Sequence, residues 1–296
     1  MAWKTASETE NAGATVFAAA RAQLRQRLGA SSRLAVAFSG GVDSAALLHL
    51  AIDELGGENV LALHARSILF PLGRERLICD RMLADFSRRC QVRQVNFAPL
   101  TIPGFAENPP DRCYLCKKRM YGEFLRVARD FDAFFLADGA NADDNMPARP
   151  GWRAIQELKV ITPLREAGIG KAAIRAYARR HGLMNHDLPS QSCLATRFAP
   201  GLPIDEATLH LVAWLEARIG QGLSHDFRLR LSADGWGIEV RGYETENPDF
   251  PDEAAIRRCF REHGVELTQL EVSRPEKNAL APEETNKLLA LHTLVR

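Results

Sequence analysis

No apolar run in this chain approaches the ~20 residues of a membrane-spanning helix, and residues 1–23 offer no uninterrupted apolar core behind a basic start. Neither a span nor a secretory leader is indicated. Net charge is lacking too: 38 Lys and Arg against 37 Asp and Glu leave +1, so no whole-chain field favours nucleic acid or an anionic membrane. Either would need a local patch. With 21 Gly and 15 Pro the chain is not of low complexity, and 46% hydrophobic with 25% charged residues is a globular balance that excludes wholesale disorder. Six cysteines among 296 residues are too few for a short disulfide scaffold. The expectation is a cytoplasmic protein of one large or two unequal domains. In a reducing cytosol a C-x-x-C is more often a metal, cluster or redox site than part of a disulfide framework.

What is present is an alternation, from about residue 14 to 270, of short β-branched or apolar runs with longer amphipathic segments. That is the α/β signature. Strands are expected over Arg33–Phe38 (RLAVAF), Asn59–His64, Gln91–Phe97 and Ala133–Ala137, and helices over residues 15–28, 42–55, 74–89 and 114–129. Right-handed crossovers between such strands make a doubly wound parallel sheet the economical topology. Beyond Asn141 the pattern predicts a strand at 159–161 and a helix over 171–181. The segment Pro200-Gly201-Leu202-Pro203 is the expected boundary, giving domains 1–200 and 201–296. The second reads as a small α+β domain: a helix over 205–219, strands at 227–231 and 237–241, a helix over 253–263, a strand near 266–272 and a final helix. No internal repeat is present.

Ser39-Gly40-Gly41-Val42-Asp43-Ser44 follows the first strand directly and opens the next helix. Two glycines allow a tight turn with bare amides, and the helix N-terminus adds partial positive charge, so the segment reads as an anion cradle. Ser39 and Ser44 can add hydroxyl bonds to phosphate oxygens. Neither G-x-x-x-x-G-K-[ST] nor G-x-G-x-x-G is present, which excludes a Walker loop and a dinucleotide fingerprint. A bare strand-to-helix turn, with Asp43 and Ser44 satisfying first-turn amides, is the blander reading. The fourth strand ends in Ala137-Asp138-Gly139-Ala140-Asn141-Ala142-Asp143-Asp144. If it neighbours the first strand, this loop faces the cradle and Asp138, Gly139 and Asn141 can hold Mg²⁺ or nucleotide. Asp143 and Asp144, taken singly, read as turn residues.

The cysteines fall into two classes. Cys79, Met82, Leu83, Phe86 and Cys90 form one apolar helical stripe, and Ile256, Cys259 and Phe260 another. Those three cysteines read as core. Cys113 and Cys116 instead open a helix after Pro109-Pro110, where its N-terminus and Arg112, Lys117 and Lys118 favour thiolate, and Cys193 sits in the loop Pro189–Arg197. Three such thiolates can ligate a [4Fe–4S] cluster with one iron open, or structural zinc with His181 or His186 as fourth ligand; spacing does not separate the two. Arg112, Lys117 and Arg197 are candidates for binding substrate anions.

Taken together, SGGVDS, NPPDRCYLCKK, DGANADD with the following segment to RHGL, and PSQSCLATR span about residues 33–200. They resemble the ATP-dependent sacrificial sulfur transferases of nickel-pincer nucleotide cofactor biosynthesis, the LarE family, within the ATP-pyrophosphatase (PP-loop) superfamily. The resemblance implies adenylation of a carboxylate of pyridinium-3,5-biscarboxylic acid mononucleotide and its conversion to a thiocarboxylate. It implies ATP and Mg²⁺, held by Ser39, Gly40, Gly41, Asp43, Ser44, Asp138, Gly139 and Asn141. It further implies that sulfur comes either from a sacrificed Cys193 or through a [4Fe–4S] cluster on Cys113, Cys116 and Cys193. Arg228 and Arg230 resemble the paired arginines with which the family grips substrate phosphate; the exposed face of an alternating strand is the alternative. A homo-oligomer, a sulfur donor and other proteins of the same biosynthesis are the implied partners. Two rivals stand beside this: a PP-loop enzyme thiolating tRNA, for which CKKRMYGEFLRVAR offers a local basic face, and a non-enzymatic nucleotide-binding protein with structural zinc.

Overall fold

The computed structural model describes residues 17–22, 24–26, 28, 33–145, 149–189, 192–219, 226–233, 235–241 and 253–265. In it the chain divides into two compact units, one of Met1–Ser67, Leu77–Ala98 and Asp111–Gln191, the other of Ile68–Arg76, Pro99–Pro110 and Ser192–Arg296.

The first unit is built on β1 (Arg33–Ala37), β2 (Val60–Arg66), β3 (Gln91–Asn96) and β4 (Ala133–Ala137), all parallel in the order β3-β2-β1-β4. This is the α/β sheet that the alternating pattern implies. β1 pairs with β2 on one side and β4 on the other, so the strand order reverses beside it, where open α/β sheets bind ligands. The intervening helices are α1 (Val42–Leu55), α2 (Arg74–Phe86) and α3 (Arg112–Arg129), followed by α4 (Gly151–Glu157), α5 (Pro163–Glu166) and α6 (Lys171–Arg180). Helix α1 is buried from Ser44 through Ile52, because Ala, Leu and Ile surround its whole girth. It ends at Gly56, whose N–H still reaches Ile52 O at 3.0 Å and whose positive φ of 80° turns the following chain out of the helix. Leu34, Val36, Leu47, Leu50, Met82, Leu83, Phe86, Ile174 and Ala178 share this core.

The strand expected at 159–161 is a single parallel bridge, Ala137 to Ile161. Lys159 takes φ of 54° and Val160 N–H returns to Ile155 O at 3.0 Å, so only Ile161 is free to extend. Among the described residues no helix is long and apolar enough to cross a membrane.

The second unit holds α7 (Glu206–Ile219), the antiparallel hairpin of β5 (Asp226–Ser232) and β6 (Gly235–Arg241), and α8 (Glu253–Arg261). Leu229, Trp236 and Ile238 are buried together with Leu209, Val212, Leu215, Ile256 and Phe260. Pro200–Pro203 is not a linker between units. Gly201 N–H bonds Asn108 O at 2.9 Å, Ile204 N–H bonds Ala106 O at 2.7 Å, and the buried Asn108 amide donates to Ala199 O and Leu202 O at 2.7 and 3.0 Å. These bonds stitch the segment into the second unit, and the division falls between Gln191 and Ser192 instead. The strand near 266–272 and the final helix lie outside the described residues.

Candidate functional site

The loop from Ser39 to Ser44 leaves β1 and enters α1 with Gly41 as its N-cap and no side chain on the capping amides. Those amides are therefore available to an anion. Gly40 holds φ of 84°, and a Cβ built there would lie 2.7 Å from Cys79 Sγ, so only glycine fits between the turn and helix α2. Ser44 Oγ donates to Gly41 O at 3.0 Å, accepts from Ser39 N–H at 3.2 Å and meets Ser39 Oγ at 3.1 Å. Asn185, 1% exposed, donates to Gly40 O at 2.8 Å and fixes that peptide from the far side. Nothing in the motif pattern singles out Asn185, because its partner is 145 positions away.

The loop after β4 closes on this cradle. A Cβ at Gly139 would stand 2.8 Å from Ser44 N and 3.1 Å from Asp43 C, so the two backbones are in direct apposition. Asp138 is not free to take Mg²⁺ as the motif suggested. Its Oδ1 accepts Ala140 N–H at 2.7 Å, and its Oδ2 accepts from Lys117 Nζ at 3.2 Å and from the Tyr121 hydroxyl. Burial pushes the Asp138 carboxyl up, but Lys117, the Tyr121 hydroxyl and the Ala140 amide together outweigh it and hold it below the ordinary value. The buried Tyr121 phenol is pushed well above its usual value, first by burial and then by this carboxylate. Lys117 thus braces the loop through Asp138, and its partly exposed ammonium carries further donors.

Asn141 also serves the turn: its Oδ1 accepts Asp143 N–H at 2.9 Å and its N–H donates to Asp144 Oδ2 at 3.0 Å. Asp143 accepts Lys171 N–H at 2.6 Å at the start of α6, and Asp144 pairs with Arg149 at 2.8 Å. The carboxylate left with an open acceptor is Asp43. Its Oδ2 takes Lys171 Nζ at 2.6 Å, while its Oδ1 is buried with no hydrogen-bond partner. Burial raises its pKa, opposed by Lys171 and the neighbouring Asn141, with Asp144 adding to the rise.

Cys113 and Cys116 sit on the first and second turns of α3, the former exposed and the latter half-buried. Three residues apart, they share a helix face. Arg112 Nη2 lies 4.0 Å from Cys113 Sγ. The same helix carries Lys117 and Tyr121 to Asp138, so the cysteine turn and the phosphate cradle are joined through one buried carboxylate. Cys79 is buried, Cys90 is half-buried with its thiol pushed up to about 11 by burial, and burial also raises Cys259. In the second unit Cys193 is half-buried and precedes the short turn Leu194–Arg197, its carbonyl accepting Thr196 N–H and Oγ1 at 2.9 and 2.7 Å.

No protein-family model matches the chain. An uncharacterised protein of Synechocystis is 33% identical over 194 residues, covering 65% of this chain and 70% of that protein. The pyridinium-3,5-bisthiocarboxylic acid mononucleotide synthase of Lactiplantibacillus plantarum is 32% identical over 169 residues, 57% of this chain and 60% of the synthase. The chain belongs to the LarE family. A probable tRNA sulfurtransferase of Thermus thermophilus is 30% identical over 200 residues, covering 64% of this chain and 48% of that protein.

In this LarE-family chain two of the second-unit arginines, Arg197 and Arg230, are engaged within the protein. Arg197, expected at a substrate anion, is 4% exposed; it forms a two-point pair with Glu216 at 2.8 and 2.9 Å and donates to Ser192 and Thr196. Every N–H bearing nitrogen is engaged, so it secures the Cys193 turn instead. Arg230 pairs with Glu239 at 2.9 Å and donates to Thr196 O at 3.0 Å, which also turns it toward that segment. Arg228 lies opposite Glu239 in the hairpin register and is half-buried.

Proposed function

We propose that the chain is an ATP-dependent sulfur transferase that adenylates the carboxylate of a pyridinium mononucleotide and delivers sulfur to the activated carbonyl. The observation that carries this is the Gly40–Ser44 cradle, which opens a helix with no side-chain cap and is closed by Gly139 and braced by Asp138 to the helix that presents Cys113 and Cys116. The amides and the α1 N-terminus hold the triphosphate, Asn185 keeps the 40–41 peptide turned toward it, and Lys171 is within reach through Asp43. The buried open Oδ1 of Asp43 is the oxygen that fits a Mg²⁺ ion. A substrate carboxylate oxygen attacks the α-phosphorus, the bond to the β-phosphate oxygen breaks, and pyrophosphate leaves. A sulfur nucleophile then adds to the acyl carbon, the C–O bond to AMP breaks, and a thiocarboxylate remains. Cys113 and Cys116, on one accessible face, supply two adjacent thiolates of the kind a [4Fe–4S] cluster needs, with Cys193 as the third. Such a cluster would supply an iron that carries the sulfur; without it, Cys193 would donate its own and become dehydroalanine.

In the segment that the tRNA reading would use, Lys118 pairs with Glu157, and Arg119 and Arg126 share Glu123. The deciding experiment is anaerobic turnover with ATP and the biscarboxylate nucleotide, followed by mass spectrometry of protein and small molecules. Pyrophosphate with thiolated nucleotide is expected. A protein lighter by the mass of hydrogen sulfide identifies Cys193 as donor, and an unchanged protein identifies cluster-borne sulfur. No nucleotide-dependent pyrophosphate release would overturn the proposal.

A further inference from the structure

Away from the cradle, His49 and Asp53 lie one turn apart on α1, and His181 follows directly after α6. His49 Nδ1 is 3.3 Å from Asp53 Oδ2, the His49 and His181 rings are 4.7 Å apart between centroids, and one donor atom from each residue lies within 4.8 Å of the others. We propose that His49, Asp53 and His181 form a site for a divalent transition ion of the zinc class, separate from the cysteines and from the phosphate cradle.

Two imidazoles and one carboxylate are the donor set of borderline cations, whereas Mg²⁺ and Ca²⁺ prefer oxygen alone. Bonds of ~2.0–2.2 Å to a common ion place tetrahedral donors roughly 3.4 Å apart, so donors that lie within 4.8 Å of one another need to draw together by about 1.4 Å at most. The surroundings fit a ligand set. The Tyr177 hydroxyl meets His49 Nδ1 at 2.9 Å and so fixes the ring beside Asp53. Arg89 takes Asp53 Oδ1 at 2.7 Å and leaves Oδ2 facing His49. Arg21, Arg89 and Arg180 act on the same groups and set a limit on affinity.

The position gives the ion a structural task. Helices α1 and α6 are already tied near their first residues by Lys171 and Asp43 at 2.6 Å. An ion on His49, Asp53 and His181 would pin the same two helices further along and hold the frame from which the phosphate loop springs.

The test uses the full chain with Cys113→Ser, Cys116→Ser and Cys193→Ser, so that the accessible thiolates do not compete, stripped with chelator and titrated calorimetrically with Zn²⁺ alone. One equivalent should bind and raise the melting temperature. His181→Ala, at an exposed position, should weaken binding at least tenfold and abolish the thermal shift, and Asp53→Asn should do the same where circular dichroism reports a native fold. Absence of binding to the cysteine-substituted chain, or equal binding by His181→Ala, would overturn the site. Because no ATP or nucleotide is present, neither result bears on sulfur transfer.

Discussion

Asn185 shows how much a single amide can decide. Its Nδ2 is the donor that satisfies Gly40 O, and the peptide it holds carries the Gly41 N–H, which in this structure donates to Ser39 Oγ at 3.4 Å and in the proposed reaction turns to the phosphate. Asn185→Ala strands a buried carbonyl, which costs about 1–3 kcal/mol, and frees the peptide to rotate. We expect a lower melting temperature together with an ATP dissociation constant raised several-fold by calorimetry; a thermal loss with unchanged ATP affinity would confine Asn185 to packing. Asp138 gives a pH-dependent counterpart. Its carboxyl is held below the ordinary 3.8, burial notwithstanding, chiefly by Lys117. The native state therefore binds fewer protons than the unfolded chain, and the stability this contributes is present above 3.8 and is lost as pH falls through the lower native value. Lys117→Met leaves burial unopposed by its largest counterweight and should cost about 2–3 kcal/mol at pH 7, less than a fully buried pair because Lys117 is partly exposed. In urea unfolding the gap between the two proteins should shrink as pH falls below 3.8 and through the lower native value of the wild-type carboxyl. A gap independent of pH would show that Lys117 acts through its aliphatic stem alone.

Between elements, contact is set by backbones, and Gly139 is the position where that matters most. Its missing Cβ is what allows the β4 loop to lie on the first turn of α1, and the atoms it would strike are main-chain atoms that cannot swing aside. Gly139→Ala should separate loop from cradle and weaken ATP binding more than tenfold, whereas Gly122→Ala, inside α3 with nothing within 4 Å of its Cβ, should be neutral or slightly stabilising. Equal ATP affinity in the two variants would remove the β4 loop from the site. The same contrast explains what could be read from the chain beforehand. Strands β1 to β4 and helices α1, α3 and α6 carry their own periodicity, and S-G-G-V-D-S is local, so each was legible from neighbours in sequence. Helices α4 and α5, at seven and four residues, are too short for a period to emerge. Asp138 and Arg197 were read as ligand-binding groups because a charge in a loop advertises itself, while the partners that claim them, Lys117 at 21 positions and Glu216 at 19, are set only by folding. The Pro/Gly run at 200–203 resembled a linker for the same reason, since its bonds to Ala106 and Asn108 come from far upstream.

For the whole molecule, the groups of the proposed reaction are distributed unevenly. The phosphate cradle, its Asp138 brace, Cys113 and Cys116 belong to the first unit, and Cys193 to the second, in a turn held by the buried Arg197–Glu216 pair. Adenylation and sulfur delivery should therefore separate under mutation. Cys193→Ser changes no group of the cradle and keeps the turn's hydrogen bonds, which run through the Cys193 carbonyl and not its side chain. Pyrophosphate release in the presence of the biscarboxylate nucleotide should persist within about twofold, a change of under ~0.5 kcal/mol in the barrier, while thiocarboxylate formation vanishes. Cys79→Ala should show the reverse: the Sγ that abuts Gly40 is lost, so pyrophosphate release falls with the fit of the cradle, and whatever adenylate forms is still thiolated. Parallel measurement of pyrophosphate and thiolated nucleotide gives a ratio for each variant. A ratio unchanged from wild type in Cys193→Ser would mean that sulfur reaches the acyl carbon without this thiol, and would leave the cysteine pair on α3 as the chemistry-bearing sulfur of the chain.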